Sequence, residues 1–326
     1  MKSTAIVLRA YGGPEQLQPE DVDVGEPGMG EVLVRHTAIG VNFHDCYVRS
    51  GLYRTLDLPG TPGIEAAGIV EVVGPGVSSL KPGDRVAWVS SSYGGYASAR
   101  ILPADLAVRL PDALGDTQAA ASFMKALTVN MLVDQVHEVK AGQMVLVHAA
   151  AGGVGQLLSS WCHTLGAQVI GTVSSEEKAE VARRAGVKHP ILYRRENFVD
   201  RVIEITGGAG VSVVYDAIGK DTFSGSLQCL DYEGKLVSYG QASGPVEPLS
   251  LTSLAAKSLT VSRPIIFHYI RTRERLQKMA GQVFAQFANG AINPPDAVEL
   301  PLGDAALAHE MLEAGKSPGG IVLIPR

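Results

Sequence analysis

Cysteine is scarce in this 326-residue chain: Cys46, Cys162 and Cys229 lie far apart and form no CxxC pair. Such spacing excludes a disulfide framework and a cysteine-rich metal site, and it suits a reducing cytoplasm, where this protein is expected to reside. Long apolar runs are missing too. No stretch approaches the ~20 residues of a membrane helix, and Met1 to Val7 reads as an opening strand, so no membrane association is expected. Positive charge is also short, with 28 Lys and Arg against 33 Asp and Glu. The resulting net charge of −5 argues against nucleic acid or an anionic membrane as a main partner. Charged residues make up only 19% and hydrophobic ones 46%, as in a well-buried α/β protein, and the length suggests two domains.

What is present centres on His148-Ala149-Ala150-Ala151-Gly152-Gly153-Val154-Gly155, directly after the apolar run Met144 to Val147. An apolar strand running into a glycine turn that opens a helix is the architecture of a dinucleotide-binding crossover. Glycine lets the backbone approach a pyrophosphate, and the first N–H groups of the helix cradle its charge. The pattern Ala149-x-x-Gly152-x-x-Gly155 is a variant of the usual glycine fingerprint. Its context strengthens it, because Gln156 to Trp161 continues as a helix and Gln168 to Thr172 follows as a second strand.

From Met1 to about Ser122 short strands alternate with turns, among them Glu31 to His36, Gly63 to Gly74 and Arg85 to Val89 after the turn Lys81-Pro82-Gly83-Asp84. A β-rich domain is expected there, with Asn42 to Cys46 in an irregular segment. Helical sequence begins at Thr117 and runs to about Asp134. Strands then alternate with helices: strand 144–149, helix 154–165, strand 168–172, helix 176–185, strand 190–192, helix 198–206, strand 211–216, helix 222–230 and strand 235–239. A sixth strand is expected at 258–261. The alternation predicts a parallel, doubly wound sheet. A helical stretch around 272–289 and a terminal strand, Ile321 to Ile324, are expected to fold back onto the first domain. The expected boundaries are thus 1–123, 124–264 and 265–326.

Cofactor choice is written after the second strand. An NAD site carries an acid about 20 positions beyond the glycines to bind the ribose 2′-hydroxyl. Here the strand ends Gly171-Thr172-Val173-Ser174-Ser175, Lys178 sits one helical turn on, and Tyr193-Arg194-Arg195 follows the third strand. Small hydroxyls and cations suit a 2′-phosphate, so NADPH is favoured over NADH, with Glu176 and Glu177 as the opposing signal.

The glycine fingerprint, Asn42-Phe43-His44-Asp45 with Arg49 to Tyr53, Pro62 to Gly68, Ala120 to Thr128 and Ser262-Arg263-Pro264 resemble the medium-chain dehydrogenase/reductase superfamily. More closely they resemble its quinone oxidoreductase, zeta-crystallin-like branch, over essentially the whole chain. The resemblance implies a GroES-like catalytic domain, discontinuous in sequence, around a Rossmann domain, usually as a homodimer joined through the edge of the Rossmann sheet. It implies catalytic roles for Asn42 and Tyr53. For the cofactor it implies Asn42, Thr128, Gly152, Gly153, Val154, Ser174, Lys178, Tyr193, Ile218, Tyr239, Gly240 and Arg263, with Lys125 bearing on the same pocket.

The departures from the zinc alcohol dehydrogenases of that superfamily are informative. Their catalytic ligand positions correspond to Asn42 and Ile64, neither of which ligates zinc, and no metal is expected. Without a Lewis acid, a conjugated acceptor is the easier substrate, because its reduced anion spreads over a π system. The expected chemistry is hydride transfer from NADPH to a quinone or conjugated carbonyl, with the protein supplying orientation and a dry slot. His44 occupies the proton-relay position of the zinc enzymes, and a structural role is expected for it. An enone or alkenal reductase on the same scaffold is the enzymatic alternative. A non-catalytic NADPH-binding sensor or crystallin-like protein is the alternative of another class.

Overall fold

The structure is a computed structural model that describes residues 2–325. The chain divides into two compact units, one of Met1–Met124, Ile270–Phe284 and Pro294–Arg326, the other of Lys125–Tyr269 and Ala285–Asn293.

Apolar alternation builds the first unit. Lys2–Leu8 (β1) pairs antiparallel with Leu17–Asp23 (β2). Glu31–Gly40 (β3) buries Val32, Val34 and Ile39. It is followed by Phe43–Ser50 (α1), Glu65–Val73 (β4), Arg85–Val89 (β5), Ala99–Pro103 (β6) and Ala107–Arg109 (β7). β3 pairs antiparallel with β4 and β6, β4 with β5, and β5 with β7. The core gathers Ile6, Leu8, Val70, Trp88 and Leu102. Inside it Trp88 Nε1–H donates to His36 Nε2 at 3.1 Å, so the proton of His36 sits on Nδ1 and reaches Ala97 O at 2.7 Å. Asp116–Asn130 (α2) follows, packed through Ala119, Ala120, Phe123 and Leu127.

The helix α1 corrects the expectation of an irregular segment. Asn42 holds the extended N-cap conformation (φ −125°, ψ 152°), the Asp45 carboxylate accepts its N–H at 2.9 Å, and Gly51 closes the helix at φ 80°. At eight residues it is too short for its apolar period to stand out.

The second unit holds the expected parallel sheet. Its elements are Met144–Val147 (β8), Gly153–Thr164 (α3), Gln168–Val173 (β9), Glu176–Arg184 (α4), Val187–Leu192 (β10), Phe198–Ile205 (α5), Val211–Asp216 (β11), Phe223–Gln228 (α6), Leu230–Ser238 (β12) and Thr260–Ser262 (β13). All pairings are parallel, in the order β10-β9-β8-β11-β12-β13, which reverses direction at β8 and β11. Pro190 is tolerated because β10 lies at the sheet edge. β13 begins two residues later than expected. Ser258 is left-handed (φ 53°) and ends a tight turn over Leu251–Lys257, so it cannot continue a strand.

The remaining chain runs through Arg273–Ala288 (α7), Ala297–Pro301 (β14), Ala305–Glu313 (α8) and Gly320–Ile324 (β15). β15 pairs antiparallel with β3 and parallel with β14, giving the first unit a sheet ordered β14-β15-β3-β4-β5-β7. Neither β14 nor α8 is anticipated by the sequence reading, although Ala305, Ala308 and Leu312 carry helical spacing.

Candidate active site

In the first unit Asn42 and Tyr53 bracket α1. Asn42 is buried, and its Nδ2–H donates to Glu65 Oε2 at 3.0 Å, while Glu65 Oε1 accepts the Met124 backbone N–H at 2.6 Å. Tyr53 lies just past the Gly51 turn, its N–H bonded to Tyr47 O at 3.0 Å. His44 meets Tyr53 edge-on at 5.6 Å between ring centroids and stacks on Tyr93 at 5.9 Å. Its Nε2 lies 3.1 Å from Tyr93 Oη, which also bonds Thr55 Oγ1. Burial lowers the His44 pKa to about 4, so the imidazole is neutral at physiological pH. Tyr93 stands at φ 56°, an uncommon conformation for a bulky residue, and burial raises its phenol above the usual value. Together these rings form a partly apolar wall studded with neutral hydrogen-bonding groups.

Behind α1 runs a chain of buried polar groups. Asp45 Oδ2 accepts from Tyr96 Oη at 3.2 Å, and Tyr96 Oη lies 2.9 Å from His309 Nε2. Arg49 reaches His309 Nδ1 at 3.4 Å and pairs with Glu313 at 2.7 Å. Burial and the Arg49 charge lower the His309 pKa to about 3.

Of the expected cofactor residues, Asn42 lies in the first unit; the second unit holds the rest, most of them after the C-terminal ends of its strands, with Thr128 and Lys178 on helices. After β8 the turn places Ala149 at φ 52°, where a fingerprint would carry glycine, and Gly152 forms the N-cap of α3 with no side chain capping it. A Cβ on Gly155 would lie 2.2 Å from Ala149 O, so only glycine lets the helix start this close to the strand. These features fit a pyrophosphate cradle lined by Gly152, Gly153 and Val154. Half-buried Ser174 follows β9, and Ser175 Oγ caps α4 by accepting the Lys178 N–H at 3.4 Å. Tyr193 follows β10 and is half exposed.

After β11 the buried Asp216 carboxylate takes the N–H groups of Ile218 at 2.7 Å and Gly219 at 3.0 Å, and the Thr222 hydroxyl at 2.8 Å. Its backbone oxygen accepts the Tyr239 N–H at 2.9 Å, fixing the start of the Tyr239-Gly240 turn after β12. Arg263, after β13, donates to Ser238 O at 2.8 Å and Gly240 O at 3.0 Å. Its placement is therefore that of a brace on the β12 end. Thr128 and Lys125 lie one turn apart on α2, Thr128 half-buried and Lys125 buried.

Residues 28–112 match the alcohol dehydrogenase GroES-like domain, and residues 153–284 match the zinc-binding dehydrogenase family. A quinone oxidoreductase of Salmonella typhimurium is 47% identical, covering 99% of this chain and all of the relative. The chain belongs to the quinone oxidoreductase family of the medium-chain dehydrogenase/reductases. The structure of the Escherichia coli quinone oxidoreductase complexed with NADPH superposes with a TM-score of 0.96 at 45% identity, covering 99% of this chain and 100% of that one. A 2-haloacrylate reductase of a Burkholderia species is 42% identical, with 99% of each chain covered.

Within this quinone oxidoreductase scaffold, sequence reading missed several functional-site neighbours. Glu65 lies inside the Pro62 to Gly68 motif, and nothing in the sequence around it assigns it a role. Tyr93 lies in Ser90-Ser91-Ser92-Tyr93-Gly94-Gly95, which has no chemical pattern, and only its backbone conformation marks it. Asp216 falls within the expected strand 211–216, although a carboxylate ending a parallel strand at the sheet's ligand edge is a usable signal.

Proposed function

We propose that this family member transfers hydride from NADPH to a quinone. The observation that carries this reading is its match, over 99% of the chain, with a quinone oxidoreductase solved with NADPH, joined to the glycine-dependent turn at Gly155. When bound, NADPH supplies a hydride from C4 of its nicotinamide. Gly152, Gly153 and Val154 would hold the pyrophosphate. Ser174 and Lys178, with Tyr193, suit the 2′-phosphate, and an acid at Ser174 would repel it. Ile218, Tyr239, Gly240 and Arg263 would form the sheet-edge side of the cofactor cleft, with Thr128 toward the nicotinamide end. Asn42 would hydrogen-bond a reacting oxygen or the nicotinamide, and Tyr53 would orient a planar acceptor. His44, neutral and wedged between Tyr53 and Tyr93, shapes that wall.

No zinc step belongs to this reading. Asn42 is engaged with Glu65, Ile64 is fully buried and apolar, and burial raises the Cys46 thiol away from the thiolate that zinc requires. Among the described residues no group of three or more His, Cys, Asp or Glu is placed to hold a metal. We further propose a GroES-like catalytic domain formed by 1–123 and 265–326, a Rossmann domain formed by 124–264, and a cytoplasmic homodimer joined through β13. Supporting the dimer, β13 is an edge strand, and Ile265 just after it is exposed, as is Leu251 at the start of the preceding turn. Among the described residues no helix is long and apolar enough to cross a membrane.

NADPH oxidation followed at 340 nm with quinones, enones and 2-haloacrylate, repeated with NADH and with a chelator, tests the whole reading. Chelator-insensitive quinone turnover specific for NADPH is expected. The 2-haloacrylate reductase relative favours one alternative, an NADPH-dependent reductase of conjugated carbonyls, which faster enone turnover would establish. Tight NADPH binding without turnover would instead mark a sensor or crystallin-like protein.

A further inference from the structure

We propose that Glu65 is a positioning residue that sets the hydrogen-bond polarity of Asn42, and so decides which amide group Asn42 offers to cofactor and acceptor. The inference rests on the role proposed for Asn42 above. Its basis is an accounting of donors and acceptors. The Met124 backbone N–H is only a donor, and Glu65 Oε1 accepts it at 2.6 Å. The other carboxylate oxygen, Oε2, is again only an acceptor, and Asn42 answers with its Nδ2–H at 3.0 Å. An asparagine amide has two nearly isosteric faces, one donating and one accepting. Against a carboxylate only the donating face fits, so Asn42 cannot present its nitrogen and oxygen in the reverse sense.

The surroundings are built for that carboxylate. Glu65 is fully buried at the start of β4, and Asn42 is buried as well. A Cβ on Gly40, at the end of β3, would lie 2.5 Å from Glu65 Oε2 and 2.3 Å from Ala120 O. Glycine at that position therefore leaves room both for the carboxylate and for α2. Residues from β3, β4, α1 and α2 thus converge to fix one amide. Asp45 adds to this by holding the Asn42 backbone N–H at 2.9 Å.

Glu65→Gln is the informative variant, because it keeps shape and removes one acceptor. With Met124 N–H holding the glutamine oxygen, the new NH2 faces Asn42, which must then turn its own oxygen inward. In the cofactor-free protein, the Asn42 side-chain amide signal in 15N–1H spectra, assigned by its loss in Asn42→Ala, is expected to shift in Glu65→Gln. In the quinone assay kcat is expected to fall about 10–100-fold with KM for NADPH changed less than about threefold. Glu65→Gln added to Asn42→Ala should cost nothing beyond Asn42→Ala alone. Glu65→Asp, still acceptor-only, should keep the wild-type amide polarity and recover part of kcat, and it carries the test if Glu65→Gln fails to fold. An unmoved amide signal, or losses that add in full, would overturn the assignment. Absence of turnover in the wild-type protein would remove the proposed function, while the amide signal would still decide the role of Glu65.

Discussion

The two units hold their candidate residues by opposite means. In the parallel-sheet unit the positions follow from backbone conformation and near neighbours: Ile218 is fixed by Asp216 two residues away, and the α3 turn by Gly155 against Ala149. In the β-rich unit the positions depend on side chains far apart in sequence. Asn42 meets Glu65 across 23 positions, His44 meets Tyr93 across 49, and Tyr96 meets His309 across 213. A backbone-built site recognises what any such turn recognises, a phosphate group, and fails when a side chain is forced into it. A side-chain-built site depends on each distant partner, and is weakened partner by partner.

The sharpest break in that comparison is Gly155→Val. Its Cβ would strike the Ala149 carbonyl and the Ala150 Cα, at 2.2 and 2.8 Å, and both are backbone atoms. The turn must open, at a cost of ~3 kcal/mol or more. NADPH binding, measured by quenching of intrinsic fluorescence, should be abolished. A variant that still binds NADPH within threefold of wild type would show that the cradle does not depend on close approach of helix and strand.

Acid should break the first unit through its interior histidines. His36 and His309 are buried neutral, with pKa values lowered to about 4 and about 3, chiefly by burial. In the unfolded chain they take up protons near pH 6.5, while the folded chain resists until much lower pH. The unfolded state therefore binds more protons between roughly pH 6.5 and 4. Stability is fully present above about 6.5 and falls by ~1.4 kcal/mol per pH unit for each group as the pH drops through that window. Urea titrations at pH 7 and pH 5 should show this loss, and His36→Gln should lower the slope by about one group's share, because His44, also lowered to about 4, contributes beside His36 and His309.

Cofactor selectivity gives a smaller effect with a clearer sign. Ser174→Asp places a carboxylate at the end of β9, where the 2′-phosphate is expected. NADPH kcat/KM should fall about 10–100-fold, equivalent to ~1.4–2.8 kcal/mol, while NADH gains. Unchanged preference would move phosphate selection elsewhere, first to Tyr193 and its neighbouring arginines.

What was legible in the sequence follows the same division. Strand, turn and helix around Gly152 to Gly155, the strand alternation and the missing acid after β9 are local signals, and the parallel sheet appears as they indicate. The partnership of Glu65 with Asn42 and Met124 depends on β-sheet register and on where α2 crosses, which no local pattern encodes. Tyr93 was hidden for a second reason: nothing in a serine-rich turn announces a left-handed tyrosine. α1 escaped because eight residues carry too little periodicity, even though Asn42, Asp45 and Gly51 spell out its two caps.

The mildest test sharpens the side-chain half of the comparison. Tyr93→Phe keeps the ring against His44 but removes the hydroxyl that Thr55 and His44 share. Thr55 is exposed and His44 only partly covered, so water can replace the lost partner at both. The expected cost is ~1 kcal/mol, or about 2–4 °C in Tm, with quinone kcat/KM within threefold of wild type. That outcome follows if His44 serves as a neutral wall, since a phenylalanine stacks as well as a tyrosine. A kcat loss beyond about 30-fold with Tm unchanged would mean that the Thr55–Tyr93–His44 chain delivers the proton that accompanies the hydride. Substitution of His44 by phenylalanine separates the two readings again: the wall survives it, and a proton path does not.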